Sequence, residues 1–173
     1  GNGDPFFLAV LQVATDSQLA RGCSYRGVED FITDVVESFA RNAPPQARLF
    51  LKHHPRDRGY NHYGAHVQRL EQQFGLKGRL FYFHDSPLAP ILRTLSCQGV
   101  VLINSSVGFQ ALFHGVPLKT MGQAPFNIDG LADQQPLASF WQQPQRSERA
   151  LFRRFYHHVL ATTQINGNFD GRF

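Results

Sequence analysis

Cysteine is scarce. Two residues, Cys23 and Cys97, stand far apart with no CxxC spacing. That excludes a disulfide framework and reads as two free thiols in a reducing compartment. Long apolar runs are missing as well: no stretch approaches the roughly twenty residues of a membrane-crossing helix. Gly1–Asp4 offers neither the basic nor the apolar region of a secretory leader, so none is expected. Charged residues make up only 17% against 42% hydrophobic, which excludes a disordered tail. No block of five or six Lys/Arg occurs, so nucleic acid is not expected as a partner. The net charge of +4 and pI near 9.4 instead suit an anionic ligand or membrane surface. Also absent are GxxxxGKS/T, GxGxxG and GxSxG, which argues against a kinase, an ATPase, an NAD enzyme and a serine hydrolase.

What is present is alternation. Phe6–Leu11 is a short continuous apolar run, as expected for a strand buried on both faces. Phe31, Ile32, Val35, Val36, Phe39 and Ala40 then repeat at helical spacing behind Glu29 and Asp30, and Pro44-Pro45 ends that helix. Further strands are expected at Arg48–Lys52, Arg79–Phe83, Gly99–Asn104 and Leu118–Met121. Helices are expected between them at about His62–Phe74, Leu88–Leu95 and Val107–His114. A last helix, with Ser147 as its N-cap, carries an apolar stripe from Leu151 to Leu160; Arg153, Arg154, His157 and His158 form its solvated face. The sixteen phenylalanines fall at core-like positions and read as packing. Strands alternating with helices imply an α/β fold: one Rossmann-like, doubly wound parallel sheet over residues 1–173. Ligands of such sheets bind beyond the carboxyl ends of the strands.

The residues after each strand therefore carry the chemistry. Lys52-His53-His54-Pro55 can offer a lysine and a histidine to a phosphate, or two polar loop histidines and no more. Asn104-Ser105-Ser106-Val107-Gly108 opens a helix with hydroxyls and free N–H groups, suited to an anion or to a plain N-cap. Gly108 allows close approach of a ligand or of the neighbouring strand. His84-Asp85-Ser86 and Gln12 reach the same edge and are candidates for base or ribose contacts, with turn and loop roles as the alternative. His62 and His66 have i,i+4 spacing but lack an intervening Glu and a third ligand, so no metal site is expected.

Five segments in this order resemble the capsule polysaccharide biosynthesis family, the β-Kdo glycosyltransferases. They are Lys52–Gly59, Asn104–Lys119, Phe126–Leu131, Phe140-Trp141 and Thr163–Gly167. The likeness is closer to the branch that initiates the Kdo linker on a phosphatidylglycerol-type lipid. The extender branch would carry Lys-Pro-His-Pro and Gly-Trp-Gly-Leu-Thr, where this chain has Lys-His-His-Pro and Ile-Asp-Gly-Leu. The resemblance implies the C-terminal, nucleotide-binding half of a GT-B enzyme that uses CMP-Kdo as donor without a metal or other cofactor. His54 with Pro55 would hold the CMP phosphate and ribose, Lys52 would assist, and Ser105 and Ser106 would bind the phosphate.

Family members also have an N-terminal domain with the acceptor contacts and catalytic carboxylates. That domain is not in this sequence, so the catalytic residues are left unassigned and this chain alone is expected to be inactive. Asp57, Asp85 and Asp129 stay candidates for binding or structure only. The implied partners are a nucleotide sugar, a lipid acceptor reached through the other domain, and capsule assembly proteins. The implied location is cytoplasmic, peripheral at the inner face of the inner membrane. A non-catalytic nucleotide-binding module, and a GT-B transferase or epimerase using a UDP-sugar, are the competing readings.

Overall fold

Among the described residues five short strands, each opening a strand–helix unit, pair into one parallel sheet. The structure is a computed structural model that describes residues 3–12, 25–54, 62–84 and 86–163. The strands are β1 (Phe6–Val10), β2 (Arg48–Lys52), β3 (Leu80–Phe83), β4 (Cys97–Leu102) and β5 (Leu118–Thr120). Their order is β3-β2-β1-β4-β5, with every neighbouring pair parallel. The helices are α1 (Val28–Asn42), α2 (Gly64–Phe74), α3 (Leu88–Leu92), α4 (Val107–Phe113), α5 (Leu137–Phe140) and α6 (Arg149–Thr163).

Strand alternation divides the core into two layers. Phe7, Ala9, Leu49, Leu51 and Val101 face one way and meet Phe31, Ile32, Val35 and Phe39 of α1, Val67 and Leu70 of α2, and Phe140 of α5. Leu8, Val10, Val100, Leu102 and Leu118 face the other way, onto Leu92 of α3 and Ala111 and Leu112 of α4. Leu151, Phe152 and Phe155 of α6 close that second layer, with Phe155 stacked on Phe109. The sheet is thus covered on both faces, and the expected Rossmann-like, doubly wound arrangement holds.

α1 forms as its sequence dictates: an apolar stripe, acids Glu29 and Asp30 in the first turn, and Arg41 in the last. Beyond Pro44-Pro45, Arg79 ties the turn down. Its guanidinium donates to the carbonyls of Ala47 (3.0 Å) and Pro44 (2.9 Å) and lies 5.1 Å from the Phe39 ring centroid. Gly75, at φ 64°, ends α2 in the left-handed conformation that glycine adopts without strain.

Most elements end within one or two residues of expectation; three boundaries and one added element are informative. β4 runs from Cys97 to Leu102, two residues earlier than the β-branched run suggested, because ladder pairing with β1 ends at Val10–Leu102. Ile103 is buried but unpaired in the sheet, so its apolar character reports burial and not strand. α3 stops at Leu92, short of the expected Leu95, where the Thr94 hydroxyl bonds back to the Ile91 carbonyl and Leu95 stands exposed. α6 starts at Arg149, leaving Ser147 outside the capping position. The fourth difference is α5, a single turn behind Pro136 that the sequence reading passed over. It delivers Phe140 and Trp141 into the core, where Trp141 meets Phe7 and Phe39 edge-on and its indole N–H donates to the Ser38 hydroxyl at 2.9 Å.

The segment from Ala132 to Gln145 folds around one buried carboxylate. Asp133 accepts from the Gln135 and Gln145 backbone N–H groups, each at 2.8 Å, and from the Gln135 side chain at 3.2 Å. Its own N–H donates to the Leu118 carbonyl of β5. Beside it Lys119 donates to the carbonyls of Asp133 and Gln135, and burial pulls that ammonium below its ordinary range while the Asp133 charge opposes the shift. Cys97 is buried too, and desolvation pushes its thiol up to about 12, which marks a structural and not a reactive cysteine. Asp133→Ala removes the acceptor of the Gln135 and Gln145 backbone N–H groups and should cost about 1–3 kcal/mol in urea unfolding; an unchanged midpoint would show that the knot is not structural.

Candidate functional site

The carboxyl ends of β2, β1 and β4 lie side by side. Lys52, Val10 and Leu102 occupy one register row, with Phe83 and Thr120 at its two ends. Bonds from Leu11 N–H to the Lys52 carbonyl (3.0 Å), His53 N–H to Phe83 (2.9 Å) and Met121 N–H to Leu102 (2.8 Å) carry the ladder just past that row. The connection leaving β1 runs through α1 on one face, while that entering β4 runs through α3 on the other. The gap between β1 and β4 is therefore the topological switch point, where an open sheet leaves a crevice.

Alternation sorts the candidate side chains. Lys52 follows Phe50 on the α3/α4 face and is 5% exposed; Gln12 lies two residues beyond Val10, and Asn104 two beyond Leu102. Gln12 and Asn104 meet across the switch point, the Gln12 amide N–H donating to the Asn104 side-chain oxygen. His53 belongs to the opposite face and is 1% exposed. Its Nδ1 lies 2.5 Å from the Tyr82 hydroxyl, and its ring packs against Tyr63 and His84. Of the two adjacent histidines, His53 is thus a buried, hydrogen-bonded edge of the core, and half-buried His54 is the one left at the rim.

At the end of β4 the chain passes through Asn104 and Ser105 into α4. The Val107 N–H donates to the Ser105 hydroxyl at a long 3.3 Å, and Ser106, exposed at the cap position, makes no side-chain bond to the helix. α4 is only two turns long, so its dipole contributes little and the hydroxyls are the stronger donors here. Gly108 is packed against its own chain. A Cβ there would sit 2.4 Å from the Phe126 ring, which is buried, so glycine is needed for packing.

His84 is half-buried among His53, His62 and Tyr82, one strand away from Lys52, while Ser86 is exposed. The structure brings these two to the β3 end of the same rim, not to the switch point. Pro55, Asp57 and Asp85 lie outside the described residues, as do Cys23 and nearly all of Thr163–Gly167. His62 precedes α2, so His62 and His66 do not share a helix face. His66 instead bonds the Thr33 hydroxyl at 2.9 Å, and His62 accepts from the Gly64 N–H. Among the described residues no three His, Cys, Asp or Glu side chains gather as a metal site would need. Sequence reasoning missed Tyr63, Tyr82 and Thr120; the signal for Tyr82 was its alternation with Leu80 in β3.

With this geometry in hand, comparison with known proteins is decisive on kinship. The family described as capsule polysaccharide biosynthesis protein matches residues 1–170. This chain belongs to that capsule polysaccharide biosynthesis family. Among its relatives, the capsule polysaccharide export protein KpsS of Escherichia coli is 44% identical over 93% of this chain. The capsule polysaccharide modification protein LipB of Neisseria meningitidis serogroup A is 41% identical over 98%. The chain spans about two-fifths of each relative's length, 41% and 40%.

Among solved structures, the KpsC β-Kdo 2,7 transferase of Thermosulfurimonas dismutans superposes with a TM-score of 0.52 at 21% identity. That match covers 79% of this chain and 41% of that one, and it shows a shared fold: the Rossmann-like half of a GT-B architecture.

Two of the motifs that characterise the family-like sequence prove to be packing devices. Phe126–Leu131 forms the turn whose Phe126 fills the space Gly108 leaves and whose Gly130 adopts φ 80°. Phe140-Trp141 is core. Gly108→Ala should destabilise the fold by about 1–3 kcal/mol through overpacking. Pairing it with Phe126→Leu should recover part of the loss in urea unfolding; equal stability of wild type and Gly108→Ala would refute the packing role.

Proposed function

We propose that this chain is the CMP-Kdo-binding, C-terminal half of a retaining β-Kdo glycosyltransferase that builds the lipid-linked Kdo linker of capsular polysaccharide. The observation that carries the reading is the placing of two family-like motifs on either side of the switch point. Lys52 and His54 stand at the end of β2, and Ser105 and Ser106 at the end of β4; both strands flank β1. One cation, one imidazole and two hydroxyls along a single rim suit a phosphate. Pro55 and Asn104 would complete that phosphate end, and His84, Asp85, Ser86 and Gln12 are the candidates for base and ribose.

The chemistry follows from the leaving group. When the sugar–phosphate bond breaks, negative charge builds on the departing CMP. Preorganised donors stabilise that charge more in the transition state than in the ground state. Lys52, His54 and the serine hydroxyls would supply by side chains what a divalent ion supplies in metal-dependent transferases. The groups that attack the sugar and activate the acceptor would belong to the rest of the longer protein, on its N-terminal domain.

A lipid acceptor would place the enzyme at the cytoplasmic face of the inner membrane, as a peripheral protein in contact with capsule assembly proteins. No helix among the described residues is long and apolar enough to cross a membrane. The basic face of α6, with exposed Arg153, Arg154, His157 and His158, fits such a surface.

Calorimetric titration tests the reading. CMP should bind, and His54→Ala and Lys52→Ala should each weaken it by about 1–3 kcal/mol, the range for charge-assisted hydrogen bonds. Unchanged affinity in both variants would remove the phosphate role, and UDP or UMP binding at least as tightly as CMP would remove the Kdo assignment. Sugar transfer from CMP-Kdo to a lipid acceptor should appear only when an upstream domain is restored. Its continued absence in the restored protein would favour a non-catalytic nucleotide-binding module.

A further inference from the structure

Polar atoms that are buried and unbonded in a resting fold are rare, because each forfeits its hydrogen bonds to water. Gln12 Oε1 is one of them, in a side chain only 5% exposed; Thr120 Oγ1 is another, 7% exposed. Both stand at the carboxyl rim of the sheet. Thr120 shares the register row of Lys52, and Gln12 follows that row by two residues at the switch point. In a core these atoms would be defects. At a ligand crevice they are groups awaiting a partner.

Gln12 is the more informative of the two because its amide is paired with a second side chain. An isolated glutamine amide can turn either end toward a ligand and so read a donor or an acceptor. Here the N–H end is engaged by the Asn104 side-chain oxygen. The end left over is Oε1, an acceptor. We propose that the Gln12–Asn104 pair is a fixed acceptor for a donor hydrogen of the bound nucleotide, either a ribose hydroxyl or an exocyclic base amine, with Asn104 acting as the positioning residue that sets the amide's polarity. This rests on the reading that a nucleotide occupies the switch crevice, and deepens it by naming which kind of group the crevice selects. A ligand that offers an acceptor at that point would face Oε1 with no hydrogen between them and leave it unpaired, so discrimination should be sharp.

Titration of CMP, 2′-deoxy-CMP, 3′-deoxy-CMP and UMP locates the donor, since each analogue deletes one candidate: the 2′-hydroxyl, the 3′-hydroxyl or the base amine. One of the three should bind the wild-type chain at least tenfold more weakly than CMP, and Gln12→Leu should abolish that preference. The Asn104 variants separate positioning from structure. Asn104→Asp keeps an acceptor against the Gln12 N–H end and should preserve the preference, whatever it does to overall affinity. Asn104→Leu frees the amide to turn and should erode the preference although Gln12 remains. Equal binding of all four nucleotides, or a preference that survives Gln12→Leu, overturns the proposal. If AMP or GMP binds in place of CMP, the Kdo reading falls while the same comparison on that nucleotide and its deoxy analogues still judges Gln12. Binding of no nucleotide at all overturns both.

Discussion

The parallel ladder through β2, β1 and β4 is the constraint on which the rest depends. Parallel strands all end at the same edge, so whatever follows each strand in sequence must gather along one rim. Lys52 and His54 are more than fifty residues from Ser105 and Ser106 in the chain, yet both pairs flank the end of β1. The alternation of each strand then decides which neighbours reach the crevice. It turns Lys52 toward the α3/α4 face and His53 into the opposite core layer. A one-residue slip of β2 would exchange those two side chains between the faces without changing a single amino acid.

The layers on either side serve that rim. The α3/α4 layer must leave room for α4 to start where Ser105 and Ser106 can be presented, and Gly108 lets α4 settle onto Phe126. The opposite layer is a rigid aromatic block of Phe7, Phe39, Phe140 and Trp141, which holds β1 from behind. Catalytic preorganisation requires donors that do not relax when charge appears. A rim mounted on five paired strands, with both faces covered, provides that stiffness.

Much of this was legible from the residues. Short apolar runs separated by amphipathic stretches gave every strand and the doubly wound class, because local burial and periodicity agree throughout. The boundaries of β4 and α3 were less accessible, since Ile103 and Leu95 look like continuations and only pairing or exposure stops them. α5 is a single turn, too short for periodicity to reveal. At the rim, spacing identified the strand-end candidates but could not separate His53 from His54; counting alternate positions from Phe50 would have done so. Close approach at Gly108 was anticipated from a ligand or the neighbouring strand, but the group packed there is Phe126, eighteen residues downstream in a turn, which no local pattern discloses. The Gln12–Asn104 contact joins residues ninety-two apart and is a product of strand order alone.

The central claim is spatial: one phosphate binds between the end of β2 and the start of α4. A crystal structure of this chain soaked with CMP addresses it directly. The account predicts the phosphate within hydrogen-bonding distance of Lys52 or His54 on one side and of Ser105 or Ser106 on the other. Nucleotide density away from the switch point, or a phosphate touching neither pair, would contradict it.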